Sequence, residues 1–242
     1  EREAQKAAIQ TSLDTTLQAV LCVRGPGSPG ATIQVVLDNV GAGHLWPSGA
    51  VQDRRAWVEV IAHANGAPIY QSGVVAEGQS VSQLDDPDLW WMRECLLDPS
   101  NKPVSMFWEA AGFDSNQLPG PTTNVQSDPA FYFTHVFRNY PRETLVPAAF
   151  DTPPDRVTMR VRVVPVGLDV LDELVASGDL DVKVKDAMPV FTLGSTELEW
   201  TAKAATLEYP DQGVVVSCVT AGLTTGPNFA QPAPETTRCG PP

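Results

Sequence analysis

The chain has 242 residues, 43% of them hydrophobic, and sets 16 Lys plus Arg against 29 Asp plus Glu for a formal net charge of −13. That apolar content supplies a full core and excludes a disordered tail, while the acidic balance opposes a phosphate backbone or an anionic membrane surface, so nucleic acid is not an expected partner. No stretch approaches the roughly 18 consecutive apolar residues of a spanning helix, and no basic segment followed by an apolar one opens the chain.

Residues 1–15 bring Ala4, Ala7, Ala8 and Leu13 to a weak helical spacing with little to bury, and read as the helical tail of an upstream region. From residue 17 the pattern changes. Residues 17–23, 32–37, 56–63 and 69–71 are β-branched or aromatic runs broken by turn residues, which predicts strands. Between the last two, Asn65-Gly66 supplies the positive φ of a tight hairpin. Residues 83–150 mix Asp, Pro, Gly and aromatic residues without a sustained period, which predicts a long loop-rich insertion with one strand at 130–137.

Residues 156–164 alternate charged or polar with apolar side chains, placing the arginines on a wet face and the valines and Met159 inward. Leu168, Leu171, Leu174 and Val175 predict one short helix that closes at Ser177-Gly178. Strand character returns at 196–207. The stretch 211–242 then reads as a Pro/Gly-rich C-terminal extension, largely coil after an apolar run at 214–216. The expected architecture is all-β: an antiparallel, immunoglobulin-like β-sandwich over residues 16–210, with the insertion at about 83–150 and one short helix. Helical segments do not alternate with strands, which excludes a doubly wound α/β fold.

Cys22, Cys95, Cys218 and Cys239 form no CxxC or CxxCH arrangement, so a zinc knuckle, a redox pair and covalent haem attachment are excluded. An even count points to disulfides, against the alternative of four free thiols. Of three pairings, Cys218–Cys239 with Cys22–Cys95 is favoured because the Gly/Pro-rich stretch 220–238 can loop back. His63 ends a strand and His135 sits in an aromatic run, positions typical of packed or rim histidines. His44 lies between Gly41-Ala42-Gly43 and Pro47-Ser48-Gly49, in an irregular loop that either uses the imidazole to hold its own carbonyls or presents it to a ligand. Asp85, Asp86 and Asp88 lack the glycine and terminal Glu of a calcium loop and read as a solvated acidic loop. Ser48 is not in a GxSxG elbow, and no phosphate loop, dinucleotide fingerprint or HExxH occurs, so no catalytic residue is assigned and no enzyme is expected.

The block Asn39-Val40-Gly41-Ala42-Gly43-His44, Trp46-Pro47-Ser48-Gly49, Arg54-Arg55-Ala56-Trp57-Val58-Glu59-Val60, ending in the hairpin to Gly73, resembles the carboxyl-terminal β domain of secreted bacterial multihaem c-type cytochromes. Their block reads Gly-x-Gly-His-x-aromatic-Pro-(Thr/Ser)-Gly, then Arg-x-x-Trp-aliphatic-Glu-aliphatic. Segments 114–120, 156–164 and 189–193 extend the resemblance to roughly residues 15–205. Such cytochromes carry several CxxCH sites and this chain carries none, so any haem c belongs to a partner chain or an upstream region.

The resemblance implies a non-enzymatic, extracytoplasmic protein (periplasmic, cell-surface or secreted) that packs on or docks a multihaem cytochrome in an electron-transfer assembly. His44 would contact, or axially ligate, a haem of that partner. The alternative expectation is a cell-surface adhesion or carbohydrate-binding module that stacks sugars on Trp90, Trp91 and Trp108.

Overall fold

A computed structural model describes residues 1–39, 41–142, 150–222 and 229–235. In chain order it contains α1 (Arg2–Leu13), β1 (Gln18–Arg24), β2 (Thr32–Asp38), β3 (Arg55–Ala64), β4 (Ala67–Ser72), β5 (Trp91–Met92), β6 (Glu94–Leu97), β7 (Pro103–Val104), β8 (Gly112–Ser115), β9 (His135–Tyr140) and β10 (Arg156–Val164). There follow α2 (Leu168–Ser177), α3 (Val182–Asp186), β11 (Phe191–Thr192), β12 (Leu198–Thr201), β13 (Leu207–Asp211), β14 (Val214–Ala221) and β15 (Gln231–Pro232). One sheet runs β13-β14-β1-β2-β9-β15 and a second runs β11-β10-β3-β4, with β12 joined to β10 and β5 to β3. The fold is all-β and sandwich-like. Within the expected insertion, β7-β6-β8 make a small third sheet.

Alternation of side chains along the strands builds the core. Leu21 and Val23 of β1, Ile33 and Val35 of β2, Val58 and Val60 of β3, and Val161 of β10 belong to one buried cluster with Trp46, Trp90, Leu118 and Trp200. Strand β10 pairs along its length with β3, from Arg156 opposite His63 to Val164 opposite Arg55. The β3–β4 hairpin turns on Asn65 and Gly66, with φ of 53° and 79°, the left-handed pair that matches strand twist. Helix α2 ends where Gly178 takes φ 84° and its amide reaches the Leu174 and Val175 carbonyls.

Several expectations are corrected. Residues 129–134 form a 3-10 helix rather than strand, because Asp128 caps the Ala130 amide and Pro129 takes the first position; strand begins only at His135. Helix α3 is a second short helix beyond the one expected, started by the Asp181 side chain on the Lys183 amide. Residues 214–221, expected as mostly coil, are β14, hydrogen-bonded between β13 and β1. The apolar triplet Val214-Val215-Val216 is the beginning of an interior strand.

The disulfide expectation is also corrected. Cys22 and Cys218 occupy directly opposed positions of β1 and β14 and are joined, with Cα atoms 4.1 Å apart, so neither Cys218–Cys239 nor Cys22–Cys95 forms. Strand adjacency, not proximity in sequence, sets the pair. Cys95 is also disulfide-bonded, and Cys239 lies outside the described residues. The Cys22–Cys218 bond closes a sequence separation of 196 residues and packs beside Val20, Val36 and Val216 on the outer face of its sheet. Replacing both cysteines by alanine is expected to cost about 2–5 kcal/mol, measured by urea unfolding against the oxidised parent, because so long a closed loop restricts the unfolded chain strongly.

Candidate functional site

The loop of residues 41–50, between β2 and β3, is held on three sides. Below it, the Gly41 amide donates to the Thr16 carbonyl at 3.2 Å, and a Cβ at position 41 would lie 1.8 Å from the Thr15 oxygen, so only glycine fits. On the insertion side, Trp46 and Leu118 exchange backbone hydrogen bonds of 3.0 and 2.8 Å, and Gln117 donates its side-chain amide to the Pro47 carbonyl. A Cβ at Gly120 would stand 2.7 Å from His44 Cα, which requires glycine on the insertion strand as well. On the third side the Arg54 guanidinium donates to the Ser48 carbonyl. Asn39, fully buried, ties the two chain segments together by donating to the carbonyls of His44 (2.7 Å) and Pro119 (3.0 Å).

His44 is exposed in this rigid loop, next to an exposed Leu45. Its Nδ1 lies 2.9 Å from the Leu45 carbonyl oxygen. A carbonyl only accepts, so Nδ1 carries the proton and, in the neutral ring, Nε2 carries the lone pair. The nearest group to Nε2 is the Ser48 hydroxyl at 3.5 Å, the limit of hydrogen-bond range. A backbone-anchored Nδ1–H with Nε2 engaged only by a long contact to a hydroxyl is the arrangement that prepares an imidazole for a metal.

Behind the loop sits a buried charge cluster. Arg55, 2% exposed, donates from Nη2 to Asp169 Oδ2 at 2.7 Å and from Nη1 to the Gln52 carbonyl at 2.6 Å. Burial works to raise the Asp169 carboxyl, but the charge and hydrogen bond of Arg55 outweigh it and hold the group below the usual carboxylate range. Burial raises the Asp53 carboxyl against the pull of Arg55. Arg93, whose guanidinium lies 5.0 Å from the centroid of the Trp91 ring, is pushed down to about 10 by burial and by the like charge of Arg55.

The other residues singled out in the sequence lie elsewhere. His135 is buried, with Nε2 2.9 Å from Asp38 Oδ2, and Thr134 donates to the other oxygen of that carboxylate at 2.6 Å. His63 is half-buried on the outer face of the β3/β10 sheet. The acidic loop is not simply solvated. Asp86 accepts from Ser72, from the Gly73 amide and from the Asp88 amide, while Asp88 accepts from the Tyr70 hydroxyl at 2.7 Å, so both carboxylates pin the turn inward. Among the described residues no group of His, Cys, Asp and Glu is arranged to hold a metal ion.

Trp90 and Trp91 are 0% and 4% exposed, so the expected sugar-stacking face is corrected: of the three tryptophans only Trp108, 68% exposed, reaches solvent. The sequence shows Asn39, Arg54 and Gln117 only as members of the segments that carry the resemblance, and gives none of them the role of positioning the His44 loop that their hydrogen bonds reveal. The signal for Arg54 is its place as the first residue of the Arg-x-x-Trp block, immediately before β3. Among the described residues no helix is long and apolar enough to cross a membrane, which says nothing of a β-barrel.

The fold is similar to the crystal structure of a penta-haem cytochrome c552 from Thermochromatium tepidum, with a TM-score of 0.53 and 14% sequence identity. The match covers 79% of this chain and 41% of that one, so this chain spans less than half the cytochrome's length. No family model and no curated protein matches the sequence.

The Arg55–Asp169 pair generates a stability prediction. Asp169→Asn leaves a guanidinium whose side chain is 3% exposed without its counter-charge, and is expected to cost about 3–5 kcal/mol at pH 7 in urea unfolding. Because the folded-state value of Asp169 is depressed, its contribution is complete above the ordinary carboxylate range and is lost as pH falls through the depressed value. The gap between parent and variant should therefore narrow below about pH 4.

Proposed function

We propose that this chain is a non-catalytic, extracytoplasmic β-sandwich that packs on a multihaem c-type cytochrome, as a partner chain or as part of one polypeptide with it, and presents His44 to a haem. The observation that carries the reading is the His44 imidazole: exposed, fixed at Nδ1 by the Leu45 carbonyl, and set in a loop braced by Asn39, Arg54 and the 116–120 segment. Similarity to a penta-haem cytochrome over 79% of the chain supports the setting, and a disulfide between β1 and β14 is compatible with an oxidising compartment.

A haem bound covalently by this chain does not fit its cysteines, since none stands in a CxxCH and Cys22, Cys95 and Cys218 are all disulfide-bonded. A haem held by another segment fits His44, whose Nε2 lone pair meets only the Ser48 hydroxyl, at 3.5 Å, among the described residues. The haem would supply one-electron chemistry. This chain's own contribution is to hold the imidazole in one tautomer and orientation, and to cover apolar surface around it with Leu45.

Isolation from the native source, with a visible spectrum and intact masses of every co-purifying chain, tests the reading. A Soret band travelling with a CxxCH-bearing polypeptide is expected, and a colourless, solitary chain overturns the association. In the assembled complex, His44→Ala is expected to change the haem absorption spectrum, whereas His63→Ala leaves it intact. An unchanged spectrum in His44→Ala removes the ligand role while leaving the docking role standing.

A further inference from the structure

The outer face of the β3/β10 sheet, turned away from the core, carries a cavity of about 670 Å³ beneath residues 75–81, within the range of small-molecule sites. Its floor is apolar. Val75, Leu168 and Met188, each half-buried, and Val190, 42% exposed, supply its accessible apolar surface, and Val75 and Met188 pack in turn on the buried cluster of Trp57, Val81 and Val164. The Trp57 indole N–H is donated to the Gly73 carbonyl at 2.9 Å and the ring is 2% exposed, so it backs the cavity wall rather than meeting a ligand itself.

Three cations line the walls: Arg55, Arg162 and Lys185. Two are matched, Arg55 by Asp169 and Lys185 by Asp172. Arg162 is not. Its nearest carboxylate, Glu59, lies 3.4 Å from Nη1 and is drawn closer, to 2.7 Å, by Arg160, so one carboxylate serves two guanidiniums. The Arg162 Nε is buried without a hydrogen-bond partner among the described residues. Its guanidinium carbon lies 5.6 Å from the Trp57 ring centroid, at the position directly paired with Trp57 across the strands, so the charge is held over the apolar floor before any ligand arrives. The carboxylates on the wall, Glu77 and Asp186, are exposed and screened by solvent, whereas the Arg162 side chain is 21% exposed and its charge is screened less.

We propose that this cavity binds a small amphipathic carboxylate, with the carboxylate on Arg162 and an apolar body against Val75, Leu168, Met188 and Val190. The site is separate from the His44 loop, and its chemistry requires no haem. Its ligand is the kind that a guanidinium sharing its carboxylate, beside an aliphatic wall, selects: one negative charge and a short hydrocarbon or aryl tail.

The full chain is titrated with 4-phenylbutyrate and octanoate, and in parallel with the corresponding alcohols, by calorimetry and tryptophan fluorescence. Saturable one-to-one binding of the acids is expected, weakened at least tenfold when the carboxylate becomes a hydroxyl. Arg162→Gln is expected to weaken acid binding about tenfold and leave the alcohols unchanged. Val190→Trp, at a rim position 42% exposed and so tolerant of a larger side chain, obstructs the cavity and weakens acid and alcohol alike. Equal affinity for acid and alcohol, retention of parental affinity in both variants, or no saturation by about 10 mM acid overturns the proposal. If Arg162→Gln does not fold, the acid-to-alcohol ratio and Val190→Trp decide it.

Discussion

Burial of Trp46 is the constraint on which the candidate site depends. The ring joins the central cluster with strands from both sheets, at 4% exposure, and its backbone is locked to Leu118 by two reciprocal hydrogen bonds. A loop that must deliver a tryptophan to the core at one position, while its carbonyl two residues earlier is gripped by Asn39, has little freedom in between. The His44 side chain is therefore turned outward by the same contacts that turn Trp46 inward. The imidazole is exposed because the loop is fixed, not because the loop is loose.

The adjacent arginines that follow the loop divide two tasks. Arg54 reaches back to the Ser48 carbonyl, and Arg55, on the opposite side of the chain, runs to Asp169 on α2. One fastens the loop and the other fastens the start of β3 to the helix. A guanidinium as buried as Arg55 is tolerable only with its counter-charge and carbonyl acceptors in place, and the Gln52 and Arg54 carbonyls both accept from its Nη1, leaving Nε buried without a partner among the described residues. Loop, strand and helix are thus held by one connected polar network under a surface that otherwise repels itself at a net charge of −13.

How much of this was legible follows from where the information resides. The β3–β4 hairpin, β10 and α2 are written locally, in Asn65-Gly66, in the two-residue alternation of 156–164 and in a helical spacing ended by glycine, and they occur where that chemistry places them. The Cys22–Cys218 bond, the placement of β14 inside a sheet and the burial of Trp90 and Trp91 depend on which strands become neighbours, and no local pattern encodes that. Asp128-Pro129 is a local helix-start signal, and in the fold it prevails over the strand character of the aromatic run after it. At the site, His44 stood out through its flanking glycines, and the fixed tautomer did not, because it requires the position of the Leu45 carbonyl.

Strand β3 joins the two sites discussed here. Its first residues alternate: Arg55 and Trp57 face outward to build the cavity, while Ala56 and Val58 enter the core. Because the side-chain period is two, a shift of one residue would drive Arg55 into the sandwich and expel Ala56, at the cost of an unpaired buried charge. The Arg55–Asp169 pair therefore enforces the register of β3 against β10, and with it the position of Trp57 opposite Arg162. The loop that presents His44 ends where that register begins, so the interactions that hold the imidazole in place also set the floor of the cavity on the far face of the sheet.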